Sequence, residues 1–304
     1  MTKATFVFSN DLDLLDSAKE LGFDTLFIGH QNLTPVWITK AKKLNFTVNV
    51  EVGVFAGENL WNKYPDARPL TKDGSPLPIV EWYAGVNPLS LSVWHEKFED
   101  IRNVITGYNI DGIWLDFMRF PCHWEVENPE LFDTDFSPTT LEIFKSDTGE
   151  SMPVGETWWQ WKCDIITNYV RQVRGLINEL NPETKLGLFA VPWTPKDFDN
   201  AIHKIICQDF KSLSELVDVF SPMTYHAMCN REATWIGDAC EYFSQFGKPL
   251  LPLIQTENKP REISPADFIT SIEQAEKYSA GVTIFFLDDV IKQPEKVEVI
   301  RKIW

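Results

Sequence analysis

The chain has 304 residues, 44% of them hydrophobic, with 44 acidic against 28 basic residues and a formal net charge of −16. That length and apolar content support a large core, and no low-complexity tract points to disorder. The acidic balance, with no basic stripe, excludes nucleic acid and anionic membrane as natural partners because like charges repel.

The opening Met1-Thr-Lys-Ala-Thr-Phe-Val-Phe8 lacks the apolar core of a secretory signal, and no apolar run reaches membrane-spanning length. The five cysteines (Cys122, Cys163, Cys207, Cys229 and Cys240) are scattered without a Cys-x-x-Cys. A cytoplasmic protein with unpaired thiols and no zinc is therefore expected.

Along the chain, short apolar strands alternate with amphipathic helices. Strands are predicted at 4–9, 25–30, 46–55, 111–118, 185–192, 217–225, 250–256 and 281–287. Between them, the helical pattern 12–21 is closed by Gly22 and the pattern 158–180 by Asn181-Pro182, both ordinary helix stops. Three strands follow a similar hinge: Leu21-Gly-Phe-Asp24-Thr, Tyr108-Asn-Ile-Asp111-Gly and Leu216-Val-Asp218-Val. This alternation over residues 1–304 predicts one domain, an α/β (β/α)8 TIM barrel. No Gly-x-Gly-x-x-Gly follows the first strand, which argues against an open dinucleotide-binding sheet. Long insertions interrupt the rhythm after strand three (roughly 56–92) and strand four (119–156), on the face where barrels carry their sites.

Strand four is the most informative stretch: Asp111-Gly-Ile-Trp-Leu-Asp116-Phe-Met-Arg119-Phe-Pro121. It reads as a buried strand stopped by Pro121, with Asp116 and Arg119 at its exit. Burying charge for packing alone is costly, so charge at that place points to a site. Strand residues alternate between faces. Val48, Val50, Val52 and Val54 take one face of strand three, leaving Asn49 and Glu51 to point inward. In the same way Trp114 pairs with Asp116, Ser221 with Met223 and Tyr225, and Gln255 with Glu257. Each candidate has a plainer reading: Glu51 as a structural partner of Arg119, Tyr225 and His226 as a rim pair, and Glu257 in solvent. Asp288 and Asp289 read as caps of the last helix. Of the 12 tryptophans, Trp61, Trp82, Trp94, Trp124, Trp193 and Trp235 fall in or beside the loops of the active face. Indole faces suit the apolar faces of sugar rings, whereas Trp158, Trp159 and Trp161 read as helix anchors.

One segment resembles the hypothetical glycoside hydrolase group of barrels. It runs from Tyr64-Pro-Asp-Ala-Arg-Pro, through Asp73-Gly-Ser-Pro and Gly85-Val-Asn-Pro88, to Ile110-Asp-Gly-Ile-Trp-Leu-Asp116-Phe-Met-Arg-Phe-Pro121. Ser221-Pro-Met-Thr-Tyr225 is similar to a signature of the same barrels and, more loosely, of family-18 chitinases. Only 110–121 is a sharp match. The chitinase pattern Asp-Gly-x-Asp-x-Asp-x-Glu keeps Asp116, but Trp114 and Met118 stand where it has its second Asp and its catalytic Glu. The resemblance therefore does not carry chitinase chemistry with it.

What it implies is a glycoside hydrolase acting on an oligo- or polysaccharide, with no cofactor and no metal. Asp116 would be nucleophile or charge stabiliser, held ionised by Arg119. A second carboxyl would act as acid/base, about 5–5.5 Å away for retention or roughly 6.5–9.5 Å for inversion. Glu257 is the first choice for it, Glu51 the second and Glu125 the third. Arg119, Tyr225, His226 and Gln255 would bind the sugar, and Trp82, Trp124 and Trp193 would stack on it. The competing expectation is a barrel that binds carbohydrate without cleaving it. A metal-dependent hydrolase fits less well, since only His30 and His226 lie near strand ends, with no His-x-His.

Overall fold

In the computed structural model, which describes residues 1–304, eight parallel strands close into a barrel in sequence order. They are β1 (Thr2–Val7), β2 (Thr25–Gly29), β3 (Thr47–Gly53), β4 (Gly112–Asp116), β5 (Lys185–Ala190), β6 (Val219–Thr224), β7 (Leu253–Gln255) and β8 (Gly281–Phe285). β8 pairs back onto β1, with Ala4 opposite Thr283. Helices lie between the strands, so the architecture is the (β/α)8 barrel that the alternating pattern predicts. No helix is long and apolar enough to cross a membrane.

The three hinges have a common physical role. Asp24, Asp111 and Asp218 each precede a strand and accept a backbone N–H from the strand before it. The donors are Lys3 at 3.2 Å, Val48 at 2.6 Å and Leu186 at 2.7 Å. Lys42 bonds Asp111 and Arg174 bonds Asp218, so these two carboxylates also tie a helix to the barrel's lower rim.

Inside, Trp114 closes the barrel beneath the active face, donating from Nε1 to Ser221 Oγ at 2.9 Å. Its indole needs Gly187, where an added Cβ would stand 1.9 Å from a Trp114 ring atom. Val48, Val50, Val52 and Val54 are fully buried, while Asn49 and Glu51 share the opposite face.

The motif residues of the segment 64–88 build the loop framework above. Arg68 donates to the Leu77 carbonyl from two guanidinium nitrogens (2.9 and 2.8 Å), and Asp73 caps a turn by accepting from Thr71 and Ser75. Asn87 donates to buried Asp135 at 2.8 Å, and Asp135 also accepts from the Leu70 N–H and from Ser137 and Thr140. One carboxylate thus fastens the loop after β3 to the loop after β4.

Three expectations need correction. The fourth strand ends at Asp116, before Pro121, because Phe117 turns the chain in the left-handed conformation (φ 52°). Asp288 and Asp289 sit within a short helical turn (Leu287–Val290), while the last helix, Pro294–Ile303, follows Gln293. There, Asp288 accepts the Phe8 N–H at 3.2 Å. Trp159 is less enclosed than its neighbours: Trp158 and Trp161 are the two that pack with Phe144 and anchor the helix Gly155–Leu180. All five cysteines are free and buried.

Candidate active site

The carboxyl ends of the strands open into a cavity of about 1150 Å³. One side is built by β3, β4 and the loop after β4. Asp116, at the last residue of β4, lines it with its side chain 19% exposed. The sharp turn at Phe117 aims this carboxylate, whose Oδ1 accepts the Phe117 N–H at 2.6 Å. A left-handed non-glycine residue is strained by roughly 1–2 kcal/mol, so the surrounding contacts must hold it. Phe117 stacks on Tyr83 at 6.0 Å, and a Cβ on Gly53 would lie 3.3 Å from its ring.

Glu51 also lines the cavity and is 8% exposed. Burial pushes its carboxyl up to about 8, the Asp116 charge adds to the rise, and Lys97 opposes it. Glu125 lines the cavity from the loop, its Oε2 buried and without a hydrogen-bond partner, 3.8 Å from His123 Nε2. Burial pushes Glu125 up to about 7, against the pull of Arg119. Asp116 is raised as well, again chiefly by burial, with Arg119 and the Phe117 N–H pulling downward. Three carboxyls with raised proton affinity therefore meet at one wall, each lifted first by exclusion of water. No three His, Cys, Asp or Glu side chains are arranged to hold a metal ion.

Arg119 differs from its expected role. It is fully buried, does not line the cavity, and its three guanidinium nitrogens have no hydrogen-bond partner. The group lies over the rings of Tyr83 (5.5 Å) and Phe117 (5.0 Å), with Nη1 4.0 Å from Asp116 Oδ1. Its charge acts on Asp116 and Glu125 from behind the cavity surface. It pulls Asp116 toward the ionised form, against the larger rise that burial causes. The alternative pairing with Glu51 is not formed; Lys97 is the cation that acts there.

Of the other sugar-binding candidates, Tyr225 and Trp82 line the cavity. Trp82 stands 59% exposed beside left-handed Glu81 in a tight turn closed by Val80 and Tyr83. Glu257 lines the mouth, more open than Glu51 and 3.8 Å from Lys259. Trp124, Trp193, His226 and Gln255 do not reach the cavity. Trp124 is buried and stacks on Tyr225 at 5.9 Å, and Trp193 packs on Phe198 at 4.7 Å. His226 is enclosed with both ring nitrogens unbonded, burial pushing it down to about 4. Gln255 accepts the Ala227 and Met228 N–H groups and donates to the Glu257 and Lys259 carbonyls, so its amide is spent joining two loops.

The reading of the sequence missed His123, which lines the acidic side, and most of the apolar side, of which it placed only Met223 and Tyr225 inward. There Phe6, Phe8, Phe189, Leu253, Phe285 and Phe286 face the cavity from β1, β5, β7, β8 and the turns after them. Strand parity would have found part of this, since Phe6 pairs directly with inward Phe27 and Gln255 with Phe285.

No protein-family model and no curated protein matches the chain. Solved structures do. The glycoside hydrolase domain of PgaB (BpsB) from Bordetella bronchiseptica is 11% identical, with a TM-score of 0.77, covering 100% of this chain and 98% of that one. A beta-galactosidase from the psychrophilic Marinomonas ef1 is 10% identical, TM-score 0.73, and the chain spans 59% of its length. Alpha-L-fucosidase isoenzyme 2 from Paenibacillus thiaminolyticus is 13% identical, TM-score 0.69, with 48% of its length spanned. At these identities the likeness is one of fold, and the chain's structural neighbours are glycoside hydrolases, in keeping with the resemblance carried by residues 110–121.

Proposed function

We propose that the protein is a glycoside hydrolase that needs no metal, with Asp116 and Glu125 as the working carboxyl pair. The observation that carries this reading is the convergence of buried, cavity-lining carboxyls on one wall of a barrel's active face. Glycosidic cleavage needs one carboxyl protonated to release the leaving oxygen and another ionised to attack or stabilise the anomeric carbon. Environment can supply that division, because groups driven apart in proton affinity take opposite roles. Glu125, raised to about 7, can carry a proton near neutrality. Asp116 has the Arg119 charge beside it and accepts the Phe117 N–H, both favouring the ionised form. Glu125 therefore replaces Glu257 as first choice for the acid, since Glu257 lies at the open mouth. Glu51, beside Asp116 and Lys97, is the third member, its own proton affinity raised further by the Asp116 charge. Trp82 and Tyr225 contact the sugar.

As the acid, Glu125 must be protonated, so kcat/KM should fall as pH rises through about 7. The test compares two glycosides of one sugar, nitrophenyl and methyl. Glu125→Gln should lower methyl glycoside turnover by about 10²–10⁴-fold and nitrophenyl turnover far less, because a good leaving group needs no proton. Equal losses on both substrates would remove Glu125 from the acid role.

A further inference from the structure

The carboxyl wall accounts for bond cleavage and leaves the opposite wall without a role. That wall is a continuous aromatic surface: Phe189 to Phe6 at 6.3 Å, Phe6 to Phe8 at 4.8 Å, Phe8 to Phe286 at 4.7 Å, and Phe285 to Tyr225 at 4.9 Å. It climbs from the floor, where Phe189 is buried, to the rim, where Phe8 is 45% exposed. Apart from the Tyr225 hydroxyl, these side chains offer no hydrogen-bonding group.

Two physical points narrow what can lie there. A sugar hydroxyl pressed against this wall would give up water without a replacement, at a cost of roughly 1–3 kcal/mol each. Nor is the wall a stacking platform for a ring face. Phe6 and Phe285 meet at 70°, Phe8 and Phe285 at 76°, and Phe8 and Phe286 at 89°, so the surface is corrugated. Edge-to-face rings leave clefts that suit hydrocarbon. The wall also begins beside the proposed acid. Trp124, next to Glu125 in the chain, stacks on Tyr225, and the charges of Asp116 and Glu125 both act on the Tyr225 hydroxyl.

We propose that the substrate's leaving group is an apolar alcohol, alkyl or aryl, whose hydrocarbon lies against the Phe6–Phe8–Phe285–Phe286 wall while the sugar faces Asp116. This rests on the glycosidase reading and departs from the oligo- or polysaccharide expected from sequence, putting an apolar alcohol in the leaving-group position. In the reaction the bond from the anomeric carbon to the leaving oxygen breaks, and that oxygen takes the Glu125 proton and departs as the alcohol. The oxygen of one water joins the anomeric carbon, and the water's proton returns to a cavity carboxylate.

The test uses methyl, butyl and hexyl glycosides of β-galactose, β-glucose and α-L-fucose, whose leaving alcohols differ little in acidity, with the matching disaccharides alongside. For the accepted sugar, kcat/KM should rise about threefold to fourfold per buried methylene, and Phe8→Ser at the exposed rim should flatten the rise at the longer chains. Equal turnover of methyl and hexyl glycosides, or faster cleavage of disaccharides, overturns the inference and leaves the glycosidase reading standing. Calorimetric binding that strengthens with chain length, without turnover of any member, supports the apolar site and overturns the glycosidase reading. Neither binding nor turnover across the whole set overturns both.

Discussion

The two walls of the cavity are built from opposite chemistry on equivalent positions of one barrel. β3, β4 and the loop after β4 present Glu51, Asp116 and Glu125, whereas β1, β5 and β8 present Phe6, Phe189 and Phe285. The acidic wall is made reactive first by enclosure. For all three carboxyls the first cause of the raised proton affinity is exclusion of water, and nearby charges come second. An acid with a proton to give near neutrality thus depends on its enclosure more than on the charges around it.

Among the changes that test how the two walls depend on each other, breaking the apolar side should give the largest effect. Phe285→Ala would hollow the wall, lowering stability by about 3 kcal/mol in denaturant unfolding. Water admitted to Glu125 would also move the alkaline limb of the pH–rate profile below its expected position near 7. An unmoved limb would show that the two walls are independent.

The next effect comes from behind the acidic wall. Arg119 lowers the proton affinity of both Asp116 and Glu125, so Arg119→Met should move the whole pH–rate window upward by about one unit. A residue that only filled space would leave the profile where it is.

The smallest effect concerns Glu51. Its folded carboxyl holds a proton more tightly than the ordinary value of 4.5, up to about 8. The folded state therefore binds more protons than the unfolded chain between those values, and stability falls as pH rises through that window. Glu51→Gln removes the loss, so melting at about pH 8 should rise by a few degrees while melting at about pH 4 stays nearly unchanged.

How far the sequence discloses this arrangement follows from what each signal depends on. Period-two alternation depends on backbone geometry, so the eight strands and the inward direction of Glu51, Trp114, Asp116 and Tyr225 were legible. The repeated Asp hinges were visible too, although their bonds to the preceding strand appear only in three dimensions. Loop residues carry no such periodicity. Glu125 could not be ranked above Glu257, because its burial comes from neighbours distant in sequence. Trp124 and Trp193 read like Trp82 for the same reason, an indole in a loop serving packing and binding alike. Arg119 was misassigned because the left-handed turn at Phe117 carries the chain behind the wall. Phenylalanine on a barrel strand signals core, and only the open space above Phe189 and Phe285 makes it a lining.

The central claim is that this cavity cleaves glycosidic bonds through Asp116. The most direct measurement is turnover of an accepted nitrophenyl glycoside by Asp116→Asn beside the wild-type protein, with thermal melting confirming that both are folded. Asp116 has two partners within the fold, Arg119 at 4.0 Å and the Phe117 N–H at 2.6 Å, which an asparagine oxygen can still accept. The expected result is a loss on the order of 10³-fold or more in kcat with the fold kept, since neither attack on nor stabilisation of the anomeric carbon survives the change. A folded Asp116→Asn protein with activity within about threefold of wild type would contradict the account.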